Sequence, residues 1–329
     1  MKKMIFSLLA IAAMTSCTTT SEDEIDPNAP VEIKLSAGIG NVEAIGRAAI
    51  PSTLTTDLDV FFARAADASD ADVNWTTGTT ELFAKINHSD FKISFYAEAE
   101  RTTLAPQYYN FNADLKSHLI GYHVGEATKG NLADNKIAIT ITGKDDIMAT
   151  KALSGNKSTK FTEFTFSHLL SQLSIEIQSV SETLETSIQS TFGKITSIEI
   201  LNQPTALELT LGATPTLDKA ASPEPTTFTI TPTTVEQTIT ATATAVGSEV
   251  MVFSDTELGK TANPIKLKIY TTIFTSGLAI DATIDGGNSG LELGKKHIIT
   301  LTFSLSEVKP SASIDTWAES TKTGTGTVE

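Results

Sequence analysis

Five histidines, a single cysteine and a short acidic run are the side chains that could do chemistry here, and their spacing argues against most of it. His88, His118, His123, His168 and His297 fall into no HExxH or other metal-ligand spacing, and His168 and His297 suit strand-edge or core positions. Asp67, Asp70 and Asp72 offer oxygens for calcium but lack the glycine and distal glutamate of a calcium loop, so they read as an exposed acidic loop. Gly290-Leu291-Glu292-Leu293-Gly294-Lys295 is one residue short of a phosphate loop, and Lys296 stands where a Ser or Thr would hold magnesium. No GxSxG elbow occurs. No cofactor, metal or catalytic set is expected. Two residues remain, Cys17 and Arg47, and both point to chemistry done to the chain rather than by it.

Cys17 closes a leader. Residues 1–16 have a basic start (Lys2, Lys3), an apolar run too short to span a bilayer, and small residues before the cysteine, the layout of a secretory signal. Met14-Thr15-Ser16-Cys17 resembles a bacterial lipobox, with Met14 where Leu is usual, and makes Cys17 the expected lipidated first residue. Acyl chains at about 0.8 kcal/mol per buried methylene would anchor it to an outer membrane. Residues 17–30 follow as an acidic tether, and Ser21-Glu22-Asp23-Glu24 resembles the signal that sends lipoproteins of the Bacteroides group to the cell surface.

Arg47 lies behind a strand. Val31, Ile33, Leu35, Ala37 and Ile39 alternate with Glu32, Lys34, Ser36 and Gly38, the period-two pattern of a half-buried strand. The polar, small-residue segment Ala44-Ile45-Gly46-Arg47-Ala48-Ala49 then reads as an exposed loop that a trypsin-like protease could cut between Arg47 and Ala48. A strand that fits a core behind a cuttable loop is a removable plug. Of the competing arginines, Arg64 falls inside a predicted strand and Arg101 in a loop.

The remaining elements must build the slot. The 329 residues suffice for one large all-β domain or two ordinary ones, and Thr, Ile, Val and Ser are frequent. A formal net charge of −15 repels phosphate backbones and excludes nucleic acid as a partner. Strands are expected at 57–64, 81–86 and 91–97, then at 137–141, 195–200, near Phe228 and Ile230, and at 235–245 and 265–269. Residues 297–305, with Ile299, Leu301, Phe303 and Leu305 on one face, and 311–317, with Ile314 and Trp317, close the chain. A short helix is expected near 114–119, and a turn at His168-Leu169-Leu170-Ser171. Strands at this spacing in two similar halves predict two tandem β-sandwiches, residues 31–165 and 166–329, with 31–47 as the removable part of the first.

Together the lipobox, the Arg47 site, Asp146-Ile147-Met148-Ala149, the segment from Phe166-Ser167-His168 to Ile177, and the run from Gly294 through Ile314-Asp315-Thr316-Trp317 to Gly326-Thr327-Val328-Glu329 resemble the fimbrillin family of the Bacteroides group, the subunits of type V pili. The resemblance implies transthyretin-like sandwiches, export as a lipoprotein, cleavage after an arginine by a trypsin-like surface protease, and assembly with other pilus subunits by strand exchange. It carries the cleaved arginine onto Arg47. The donor strand is expected at the C-terminal end, either 297–305 or 311–317 with the tail. Two further readings stay open: a non-polymerising surface lipoprotein that binds glycans, and a pilus tip or accessory subunit.

Overall fold

The computed structural model describes residues 29–40, 54–221 and 224–315. Alternation becomes strand almost throughout. In chain order the strands of the first half are β1 (Leu35–Ile39), β2 (Leu58–Ala68), β3 (Thr80–Ile86), β4 (Lys92–Tyr96), β5 (Lys116–His123), β6 (Thr128–Lys129), β7 (Lys136–Thr140), β8 (Met148–Ala149), β9 (Leu153–Gly155) and β10 (Phe164–His168). There follow β11 (Leu170–Ser179), the helix α1 (Glu185–Phe192), β12 (Ile195–Pro204), β13 (Ala206–Thr210), β14 (Thr216–Lys219), β15 (Pro225–Ile230), β16 (Thr244–Ala245), β17 (Val250–Phe253), β18 (Ile265–Thr271), β19 (Leu278–Ala282), β20 (Lys296–Phe303) and β21 (Val308–Asp315). The fold is all-β, as the spacing predicts.

Strands β2, β3, β4, β1, β10, β8 and β5 pair in that order, and β5 returns to β2, so the first sheet closes on itself with β9 carried on β5. Phe62, Phe164 and Phe166 fill it, Phe62 meeting both partners edge-on at centroid distances of 5.1 and 6.3 Å. The chain leaves this sheet at Leu169, whose N–H donates to the Ile147 carbonyl, and enters β11. There β16 and β17 lie on one side of β11 and β20 on the other, with β21 outermost. Ile175 and Ile299 from this sheet share a core with Ile198 and Ile269 of the sheet β15-β12-β18-β19, which makes a sandwich. A fourth sheet, β14-β13-β7-β6, draws strands from both sides of residue 165.

Four local expectations give way. Residues 114–119 hold the start of β5 rather than a helix: β5 is buried on both faces, which erases alternation from its sequence. Residues 168–171 are not a turn, because Leu169 is the only break between β10 and β11. In 235–245 only Thr244–Ala245 form strand and Val235 is 91% exposed, since Thr and Ala alternation supplies little apolar face to bury. Leu305 lies past the end of β20 and is 51% exposed, taken by the turn in which the Ser304 N–H donates to the Glu307 carbonyl. Helix α1, with Ile188 and Phe192 buried one turn apart, was not expected.

Candidate functional site

Of the predicted plug, Leu35–Ile39 form β1 of the first sheet, while residues 31–34 run ahead of it as extended chain joined by an isolated bridge from Glu32 to Tyr108. Ile33, Leu35, Ala37 and Ile39 are 3, 4, 0 and 8% exposed, while Glu32 and Lys34 face solvent and Val31 is half-buried. At roughly 1.5–3 kcal/mol per buried large side chain, Ile33, Leu35 and Ile39 bring on the order of 5–9 kcal/mol.

One wall of the slot changes identity along its length. At its start the Ile33 N–H donates to the Gln107 carbonyl at 2.7 Å and the Tyr109 N–H to the Val31 carbonyl at 3.0 Å. Further on, Leu35 and Ser36 pair antiparallel with Ile93 and Lys92, and the Ala37 N–H donates to the Phe91 carbonyl at 2.9 Å. The other wall is β10, parallel, with Ala37, Gly38 and Ile39 opposite Phe164, Thr165 and Phe166. The Gly40 N–H closes that side on the Phe166 carbonyl at 2.8 Å. Without β1, β4 and β10 would each show an unpaired edge above an apolar trough, which water cannot satisfy cheaply.

Cys17, Arg47, Ala48 and Trp317 lie outside the described residues. The chain has three arginines, and the other two are tied down. Arg64 donates to Gln107 Oε1 (3.0 Å), Ser117 Oγ (3.2 Å) and the Tyr108 carbonyl (3.0 Å), and pairs with Asp67 at 3.3 Å. It thereby pins the loop that forms the first stretch of wall. Asp67 is part-buried in this network, accepting from Ser117 and Asn110, and so departs from the exposed acidic loop expected of it. Arg101, 8% exposed, donates to the carbonyls of Ala84, Ala99 and Val60 and stacks over Phe61 at 4.9 Å. A protease needs an extended, accessible arginine, and neither residue offers one.

The two donor expectations differ in setting. Ile299, Leu301 and Phe303 are 0% exposed on β20, which is paired on both sides, parallel to β11 and antiparallel to β21. Among the described residues β21 pairs with β20 alone; Val308, Pro310 and Ala312 are half-covered and Ile314 is 37% exposed.

Elsewhere the buried polar groups brace strands. His168 Nδ1 lies 2.8 Å from Asp146, both nearly inaccessible, where β10 ends beside β8. His123 Nδ1 contacts the Asp59 carbonyl at 2.6 Å, and His297 Nε2 accepts the Glu292 N–H at 3.1 Å. Burial holds both imidazoles below their ordinary pKa. Among the described residues no three His, Cys, Asp or Glu side chains converge as a metal site would require. Two cavities of about 300 and 340 Å³ are lined respectively by Phe253, Asp255 and three prolines, and by residues 142–144, 227–231 and 248–250; neither is lined by a residue of β1 or its walls.

Sequence reasoning missed the wall at Gln107–Tyr109 and its clamp. These residues have no periodicity, and only the lone Arg64 inside a strand signalled that a cation was being satisfied there.

A family model described as fimbrillin-like matches residues 52–317. No curated protein matches the chain in sequence. Crystal structures that share its fold include two of proteins from Bacteroides species. One is of a proposed cell-adhesion protein from Bacteroides uniformis, 15% identical, with a TM-score of 0.58 over 88% of this chain and 98% of that one. The other is of a proposed cell-adhesion protein from Bacteroides ovatus, 13% identical, with a TM-score of 0.56 over 89% and 99%.

Proposed function

The chain belongs to the fimbrillin-like family, and on that premise we propose that it is a structural subunit of a type V pilus, a non-enzymatic adhesion component held at the outer membrane through Cys17 until it is cut after Arg47. The observation that carries this reading is β1, an amphipathic strand seated between β4 and β10 with Ala37 fully buried, in a sheet that closes only when it is present. The locked states of Arg64 and Arg101 support Arg47 as the cleaved residue. Removal of residues 1–47 leaves a trough that another strand can recover, and strand addition supplies both ladder bonds and side-chain seats. The donor comes from the C-terminal end of a neighbour. The setting of β21, held on one side only, favours it over β20, whose loss would open the sandwich core. Donor and acceptor are different surfaces, so contacts run head-to-tail into an open filament.

Treating the purified precursor with an arginine-specific endoprotease tests the reading. The expected result is one new N-terminus at Ala48 and filaments by electron microscopy. A precursor cut first at Arg64 or Arg101, or one that stays monomeric after the cut at Arg47, overturns it.

A further inference from the structure

Asn202 and Asn263 both line the cavity of about 300 Å³ in the second half of the chain, and neither side-chain amide hydrogen-bonds to another described residue. Asn202 is strained into place. It sits in the β-bulge of β12 between Ile200 and Gln203 with φ at +59°, a left-handed conformation uncommon for a residue with a side chain. Asn135, in the same backbone conformation, uses its amide to donate to the Leu211 carbonyl at 2.6 Å, whereas the amide of Asn202 stays on the cavity wall. A strained backbone that presents an uncommitted polar group is the pattern of a binding site rather than of a brace. We infer that this cavity binds a carbohydrate, seating a neutral pyranose among β12, β14, β15, β17, β18 and the loop 254–264.

The lining has two characters. Phe253, 9% exposed, and the half-buried Pro204, Leu258 and Pro264 supply its apolar part. Asn202, Asn263, Lys219 and Lys266 are exposed around it, and Asp255 is half-buried among them. A pyranose has the matching surfaces, C–H groups across its face and hydroxyls that both donate and accept around its edge. An aliphatic ligand would cover amides and a carboxylate without giving them partners, which costs binding energy. Charge argues against an anion. Lys219 pairs with Asp255 at 2.9 Å and Lys266 with Asp281 at 3.0 Å, so each ammonium group already has its carboxylate. The volume lies at the low end for small-molecule sites, which suits a ligand of one or two sugar rings.

The loop is braced from behind. The Leu291 N–H donates to the Asp255 and Leu258 carbonyls at 3.0 Å each, the Gly259 N–H to the Asn263 carbonyl at 2.8 Å, and the Glu257 N–H to Asp255 Oδ1 at 2.9 Å. Gly290 packs so closely against it that an added Cβ would run into the Thr256 carbonyl. A wall fixed in this way does not have to be ordered when a small ligand enters, which lowers the entropic cost of binding. None of the described residues that line the cavity belongs to β1, β4, β10 or β21, so removal of the first strand leaves it intact. The inference therefore goes beyond the reading above and does not depend on polymerisation.

The test uses the full-length chain carrying Cys17→Ser, left uncut, with the methyl glycosides of glucose, galactose, mannose and N-acetylglucosamine as probes. Saturation-transfer NMR is expected to show at least one of them bound, with a dissociation constant on the order of 1 mM. Asn202→Gly suits the left-handed backbone, so it should leave Tm unchanged while weakening that glycoside about tenfold. Asn263→Ala should weaken it by a similar factor, and Thr227→Trp, placed in the other cavity, should change nothing. Absence of saturation transfer to all four probes overturns the inference, as does binding that survives Asn202→Gly and Asn263→Ala together. Methyl glucuronide bound about tenfold more tightly than methyl glucoside would overturn the neutral class. Filaments from cut chains whose uncut form binds no glycoside would end this inference alone, and glycoside binding by chains that never polymerise would end only the proposed function.

Discussion

Arg64 has four polar partners, and two of them, the Gln107 side chain and the Tyr108 carbonyl, belong to the loop that holds the start of the plug. Its replacement by alanine removes the clamp without touching the plug. Hydrogen exchange of the Ile33 amide, bonded to Gln107, should quicken tenfold or more, matching a loss of about 1.5 kcal/mol locally. The Gly40 amide, bonded to Phe166 at the other end, should keep its protection. A second residue-scale effect is acid sensitivity. His123 and His297 are held neutral by burial, so the folded chain binds fewer protons than the unfolded one below the free imidazole pKa of about 6.5. Their contribution is present above that value and is lost as pH falls below it through the lowered folded-state values, which should appear as a Tm that declines on acidification. His297→Gln keeps an acceptor for the Glu292 N–H yet cannot titrate, and should flatten part of the slope.

At the scale of the element, Ala37 sets what the slot accepts. Leucine there has no room opposite Phe164 and beside the Phe62 cluster, so Ala37→Leu should lower the precursor's stability by about 1–3 kcal/mol, read as a drop in Tm. Once residues 1–47 have been cut and removed, mutant and parent chains are identical and their melting curves must coincide; a persisting difference would mean that the strand never left. Elements of this kind were the legible ones. The strand at 31–39, and those around Val60, Ile93, Ile139, Ile200, Leu267 and Leu301, have one wet face, so their burial pattern is written as alternation. What resisted reading is what breaks that rule. In β5, both faces are packed and Gly121 is required because an added Cβ would lie 2.7 Å from Phe166, so the segment reads as neither strand nor helix. The pairing of the first sheet's ends through β2 and β5, and the wall at Gln107–Tyr109, join residues with no local signal in common.

For the whole molecule, the cut after Arg47 changes how the plug is held rather than what it touches. Its three large side chains bring on the order of 5–9 kcal/mol, and some six ladder bonds add about 3–9. Ordering nine residues costs about 9–18, so the separate strand keeps only a few kcal/mol of net affinity, which is binding in the millimolar range. While residues 41–53 join it to β2 the strand is kept in place by an effective concentration in the millimolar range, and one cut removes that advantage. The nicked precursor should therefore release its 1–47 fragment at micromolar concentration, and fully in about 1 M urea, and then bind a hydrophobic dye that the intact chain ignores. Addition of uncut chains, each carrying a free-edged β21, should suppress the dye signal as the trough refills. A fragment that stays bound through dilution and urea would make β1 a permanent part of the fold, and a subunit with a permanent first strand has no place for a neighbour's.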